Sequence, residues 1–215
     1  MKVAAKSAGK HTFHPVELAL LIGLAAALLW GAGTLRTQEA LAEKVVRLHV
    51  LANSDSEEDQ ALKLRVRDRV LQRATELLEA SEDRAQAEGL LRGDLLELER
   101  IAAEEIAAAG YDYAVTAELT NTDFPTKEYD GFALPAGNYL ALRIVIGEGK
   151  GQNWWCVVFP PLCTAAAADV PASALAAGFS EEDVGLITEE NEGYVLKFKA
   201  VEWWEALRAG WEAQK

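Results

Sequence analysis

Cys156 and Cys163 are the chain's two cysteines. Both fall in one unusual run, Gly147–Cys163 (G-E-G-K-G-Q-N-W-W-C-V-V-F-P-P-L-C), beside three spaced glycines and two adjacent tryptophans. Three kinds of chemistry are open to such a run. A thiolate beside an imidazole would be a nucleophile. Two cysteines in an exported body would be a disulfide. A large aromatic left outside the core would be an anchor for a partner. The nucleophile needs a base, and His11 and His14 lie in the basic N-terminal segment. Only His49 is left to serve Cys156 or Cys163 in a Cys–His hydrolase. A lone histidine on a mixed strand is more often structural, so this reading is the alternative rather than the expectation.

Other chemistries find less support. Two cysteines and one histidine without close paired spacing do not make a zinc site, so no metal is expected. A serine triad would also have to use His49, and no G-x-S-x-G is present. Gly147-x-Gly149-x-Gly151 resembles a phosphate loop only superficially. A dinucleotide fingerprint opens a helix, whereas a strand-like run, N-W-W-C-V-V-F, follows here; no cofactor is expected. The glycines instead suit positive φ or a close backbone approach in a tight hairpin. Cys156 and Cys163 enclose six residues around Pro160-Pro161, and they can be bridged only if that turn brings their Cα atoms within about 7 Å. Trp154 and Trp155 point to opposite faces of a strand, so on a one-sided sheet one of them is exposed as a contact, with Lys150 nearby.

These residues need a scaffold. Lys44–Leu51 reads as a strand with apolar residues on both faces, near the middle of a sheet. A helix starts near Glu57, capped by Ser54 or Ser56, with Leu62, Val66, Val70, Ala74, Leu77 and Leu78 as its apolar stripe. A second helix, capped by Ser81 and ended by Gly110, buries Leu91, Leu95, Leu98, Ala102 and Ile106. Tyr113–Leu119 alternates as a half-buried strand. Asn121–Tyr129 reads as a connection, and Tyr139–Ile146 and Gln152–Phe159 read as an antiparallel hairpin. The fold class is therefore α+β, an antiparallel or mixed sheet with two long helices packed on one face. Residues 44–163 form the core domain. Residues 164–215 form a C-terminal extension with a helical turn from Ser180, a short strand at Tyr194–Lys199 and a closing helix at Val201–Trp211.

Between Lys63 and Arg73 the first helix carries Lys63, Arg65, Arg67, Arg69 and Arg73 against one acid, Asp68. Arg65, Arg69 and Arg73 share one i, i+4 row. Carboxylates on neighbouring elements would neutralise them; otherwise the row is a basic patch for an acidic partner surface.

Charge is uneven along the chain. The first 36 residues carry a net +3 and the remainder −16. So acidic a body does not suit a nucleic-acid backbone. Lysines precede the 18 uncharged residues Leu18–Leu35, a basic-then-apolar order that marks residues 1–36 as a signal peptide or membrane anchor. The positive-inside rule then puts the N-terminus in the cytoplasm and the body across the membrane. Ala40-Leu41-Ala42 offers a cleavage site, and whether it is used stays open.

Three blocks resemble the stage II sporulation protein R family of endospore-forming bacteria. They are Arg47–Asp68 (R-L-H-V-L-A-N-S-D-S-E-E-D-Q-A-L-K-L-R-V-R-D), Phe124–Lys127 (F-P-T-K) with Leu134–Gly137 (L-P-A-G), and Ile146–Cys163. The resemblance implies a signal rather than an enzyme, made in the forespore and exported into the space between forespore and mother cell. Its implied partner is a membrane-embedded aspartic protease that cleaves a mother-cell sigma factor precursor. It supplies no catalytic residues.

Overall fold

The computed structural model describes residues 15–129, 131–163 and 170–188, the side chains of 26–37 excepted. Along the chain these form α1 (Pro15–Ala42), β1 (Val46–Leu51), α2 (Glu57–Leu78), α3 (Arg84–Ala108), β2 (Val115–Phe124), β3 (Lys127–Tyr129), β4 (Phe132–Leu134), β5 (Gly137–Ile146), β6 (Asn153–Phe159), α4 (Val170–Ala176) and α5 (Glu181–Ile187). The chain divides into two compact units, Met1–Thr37 and Gln38–Lys215. In the first, Val16, Leu18, Leu20, Ile22 and Leu24 of α1 are exposed. Among the described residues no helix is long and apolar enough to cross a membrane.

The second unit is built on a four-stranded mixed sheet of order β2-β5-β1-β6. β1 is interior, as expected from apolar residues on both of its faces, parallel to β5 and antiparallel to β6. This corrects the expected hairpin, because β5 and β6 flank β1 and do not pair with each other. The six-residue link 147–152 must cross one strand, a span of about 9–10 Å that it can easily cover. A hairpin would have left β1 at an edge, with its main-chain groups unpaired on one side.

The two long helices cover one face. Ser56 caps α2, its hydroxyl accepting from Asp59 N at 3.1 Å. Asp83, rather than Ser81, caps α3 by accepting from Gln86 N at 2.8 Å. Leu62, Val66, Val70 and Ala74 of α2 and Leu91, Leu98, Ala102 and Ile106 of α3 pack on Val46, Leu48 and Val50 of β1 and on Leu140, Leu142, Ile144 and Ile146 of β5. Complete burial of such a side chain is worth about 1.5–3 kcal/mol, so this layer dominates the core.

The opposite face is also covered, by shorter pieces. Leu41, the two-stranded ribbon β3–β4, α4 and α5 pack on Tyr139, Ala141 and Val157. β2 runs to Phe124, and the expected connection Asn121–Tyr129 thus contains the end of one strand and the whole of another. Ser180 and Asp183 form a full capping box on α5. The strand and closing helix expected over Tyr194–Lys199 and Val201–Trp211 lie outside the described residues.

Candidate functional site

The link 147–152 is where the most distinctive sequence meets the rest of the fold. It lies across the end of β1 and is laced to the turn that follows. Gly151 N donates to Ala52 O at 2.9 Å and Lys150 N to Asn53 O at 3.2 Å. Glu148 N donates to the Asn53 side-chain oxygen at 3.0 Å, and Gln152 N to Asp55 at 2.7 Å. Gly147 and Gly149 have φ of +57° and +62°, the left-handed backbone that glycine permits without a Cβ penalty.

Beneath the link sits Asp59, buried in the first turn of α2. One of its oxygens accepts from Ser54 Oγ at 2.6 Å and from Asn53 Nδ2 at 2.8 Å. The Ser54 hydroxyl, then the Asn53 and Tyr113 side chains, hold its carboxyl below the ordinary range against the opposing effect of burial. Lys63, also buried, donates to Gln152 O at 3.0 Å and to Gln60 at 2.6 Å. Burial, helped by the nearby Arg67, lowers its pKa. A-N-S-D-S and G-E-G-K-G-Q are thus two halves of one polar clasp.

Cys156 and Cys163 form a disulfide, with Cα atoms 5.7 Å apart. It staples the middle of β6 to the turn behind Pro160-Pro161. The side chains on β6 alternate between faces. Trp154 packs with the helical layer and Trp155 with the opposite one, so Cys156 projects to the helical side. His49 projects to the other side, stacked on Trp155 at 5.8 Å between centroids. The sheet therefore separates the sulfurs from the imidazole, and neither sulfur is a thiol. A Cys–His pair cannot form here.

Both tryptophans are half-buried, because both faces of the sheet carry a layer. The freely exposed tryptophan expected from a one-sided sheet is absent for that reason. Arg67 lies 4.7 Å over the Trp154 ring and Lys127 4.1 Å over the Trp155 ring, cation–π contacts on the two sides of one strand. Lys150 is exposed and paired with Glu148.

The arginine row is largely committed within the fold. Arg65 bridges to Glu105 at 2.7 Å, and Arg73 makes a two-pronged contact to Asp94, both bonds 2.8 Å. These acids belong to α3, the neighbouring element expected to supply them. Arg69 contacts Gln72 on its own helix at 2.9 Å.

On the second face lies a group that pattern alone did not single out. Arg47 is fully buried on the middle strand, its Nη2 donating to Tyr129 Oη at 2.5 Å. Its Cζ lies 4.0 Å from the Phe124 ring centroid and 4.9 Å from that of Tyr139. Burial lowers its pKa, while Tyr129 and Tyr139 oppose the shift. Burial likewise lowers the pKa of His49, aided by the charges of Arg143 and Arg47 and opposed by the hydrogen bond of Nε2 to Asn153 Oδ1 at 2.8 Å. The available signal is an arginine and a histidine alternating along one face of a strand that is otherwise apolar. It becomes informative only once a second layer is known to cover that face.

Among the described residues no group of three or more histidine, cysteine or acidic side chains is placed to hold a metal. No solved structure matches the chain. A curated relative, Stage II sporulation protein R of Bacillus subtilis (strain 168), is 40% identical over 121 residues, 56% of this chain and 54% of the relative. The match thus spans about half the length of that protein. The family model described as Stage II sporulation protein R covers residues 42–169, which takes in β1, both long helices, the whole sheet, the clasp and the disulfide. With well over half of its residues under that model, the chain belongs to the stage II sporulation protein R family.

Proposed function

We propose that the chain is an exported sporulation signal, which leaves the forespore and activates by contact a membrane-embedded aspartic protease, leading to cleavage of a mother-cell sigma factor precursor. Family membership over residues 42–169 is the observation that carries this reading. The basic start followed by the uncharged Leu18–Leu35 supports export. The opposed directions of His49 and Cys156 weigh against the secreted Cys–His hydrolase acting on the envelope. In this reading the chain acts through its surface, without a cofactor and without nucleic acid.

Of the candidate contacts, Lys150 and Arg69 are exposed and, among the described residues, make only local polar contacts, whereas Arg65 and Arg73 are tied to α3. Trp154 and Trp155 meet the surface at the open end of β6. The partner surface we favour is therefore the link end of the sheet, from Lys150 to Trp155. The test is reconstitution of protease, sigma precursor and this chain in a non-sporulating cell, with precursor cleavage as the readout. Cleavage should require the chain and should fall in Lys150→Glu without loss of folded protein. Cleavage of equal extent without the chain would sink the proposal.

A further inference from the structure

The second face of the sheet holds a cluster of buried polar atoms without partners. Arg47 Nε and Nη1, Trp155 Nε1 and His49 Nδ1 are shielded from solvent and have no hydrogen-bond partner among the described residues. They belong to neighbouring side chains. Arg47 and His49 are two apart on one face of β1, His49 stacks on Trp155, and the Phe124 ring contacts both Arg47 and His49, at 4.0 and 5.8 Å. Buried groups of this kind are normally satisfied, and each one left unmade costs about 1–3 kcal/mol, more for charged groups. A buried cation normally has an anion beside it. Among the described residues the guanidinium has only a phenol and two aromatic faces.

The chemistry wanted is readable from the orphans. Arg47 and Trp155 supply only donors. With His49 Nε2 donating to Asn153, the neutral ring offers Nδ1 as an acceptor. One full positive charge in a dry, ring-lined setting suits one negative charge better than two, because a dianion would cost more to desolvate than a single guanidinium returns. A planar group with two acceptor oxygens fits donors on a planar guanidinium and an indole. Lys127, Tyr129 and Trp155 are only partly buried, and they edge the cluster on its solvent side. Lys127 adds a positive charge at that rim, which would draw an anion inward.

We propose that Arg47 and Trp155, with His49 beside them, form a binding site for a carboxylate entering past Lys127 and Tyr129. The carboxylate comes either on a polypeptide, as an acidic side chain, or on a small free acid. The site lies on the second face of the sheet and shares only Trp155 with the link end, and it does not depend on the protease reading. Arg47 then holds the anion, Trp155 orients it through its indole N–H, and His49 accepts from any adjacent donor such as a peptide N–H.

The test uses the full chain labelled with nitrogen-15, following the Arg47 Nε–H and Trp155 indole N–H resonances. Sodium acetate, the peptide acetyl-Gly-Glu-Gly-amide and sodium chloride are titrated separately at matched ionic strength. Saturable shifts of both resonances with a carboxylate and not with chloride are expected. Saturation by acetate assigns the site to small acids, and saturation by the peptide alone assigns it to a polypeptide. Trp155→Phe keeps the ring and removes the donor, so its affinity should fall about tenfold, as expected for one charge-assisted hydrogen bond. Arg47→Gln should abolish binding, but it risks the fold, which is why Trp155→Phe carries the test. Shifts that grow linearly and equally with all three solutes, or undiminished affinity in folded Trp155→Phe, would overturn the proposal.

Discussion

Gly151 and Ser54 approach so closely that a methyl group on the glycine would lie 2.1 Å from the Ser54 carbonyl oxygen. Backbone stands against backbone there, and neither side has a flexible end that can yield. The contact is what allows the link between β5 and β6 to ride directly over the end of β1. Gly151→Ala is therefore expected to cost at least about 1–3 kcal/mol, the usual range for overpacking, because the link must lift and its bonds to Ala52 and Asn53 must stretch. Gly89, in α3, has nothing within 4 Å of the place a methyl group would take. Gly89→Ala should stabilise the protein through helix propensity. Urea denaturation of the two variants should move the midpoint in opposite directions, and equal midpoints would contradict the close approach.

Asp59 is the acid at the centre of the same clasp, and it makes stability depend on pH. Its folded pKa is depressed, chiefly by the Ser54 hydroxyl and then by Asn53 and Tyr113. A depressed carboxyl contributes stability that is fully present above its unfolded pKa, about 3.9. The contribution is lost as pH falls from there through the folded value. Asp59→Asn places an amide against the Asn53 donor, so the variant should be less stable at pH 7. Its deficit should shrink as pH falls below about 4. Urea midpoints measured from pH 7 to pH 3 check this, and parallel curves for the two proteins would refute it.

Much of this arrangement is legible in the order of the amino acids. The two long helices announce themselves through the spacing of Leu62, Val66 and Val70 and of Leu91, Leu98 and Ala102, because burial on one face imposes a 3.6-residue period. β1 declares its interior place by carrying apolar residues on both sides, Val46, Leu48 and Val50 on one and Leu51, with Val45 just before the strand, on the other. The order of strands is not legible. A short link between β5 and β6 is equally compatible with pairing and with crossing, and only the unpaired main chain of β1 decides between them. The second layer is hidden for a different reason. β3 and β4 have three residues each and α4 and α5 seven each, too few to establish a period. Without that layer Arg47 looks like an exposed charge and Trp155 like a free anchor. With it, the first is fully buried and the second half-buried, and the pair becomes a site.

The basic row on α2 divides into arginines held by α3 and one that is not. Arg73 and Asp94 share two 2.8 Å bonds, with the acid mostly buried beside the interhelical contact. A double-mutant cycle over Arg73→Ala and Asp94→Ala should therefore show coupling, and added salt should weaken it as counterions screen the pair. Among the described residues Arg69 has its hydrogen bond to Gln72, one turn along its own helix. Arg69→Ala should leave the urea midpoint unchanged. Additive effects of Arg73→Ala and Asp94→Ala would mean that the two helices do not depend on this pair.

The disulfide separates a structural role for the cysteines from a catalytic one. Cys156 and Cys163 are seven residues apart in sequence, so the bridge closes a very short loop. Loop entropy for such a closure amounts to roughly 2–3 kcal/mol, and the double variant Cys156→Ser, Cys163→Ser should lose about that much stability. Adding reductant to the wild-type chain should lower its urea midpoint towards that of the variant, while the variant itself should not respond. A hydrolase with either cysteine as nucleophile would lose its output in the variant even where the protein remains folded. A surface-acting signal would not. Reconstituted precursor cleavage, run at a temperature at which both proteins are folded, should therefore be retained in the double variant. Loss of cleavage from folded double variant would return the cysteines to the chemistry and remove the distinction that the opposed faces of β6 imply.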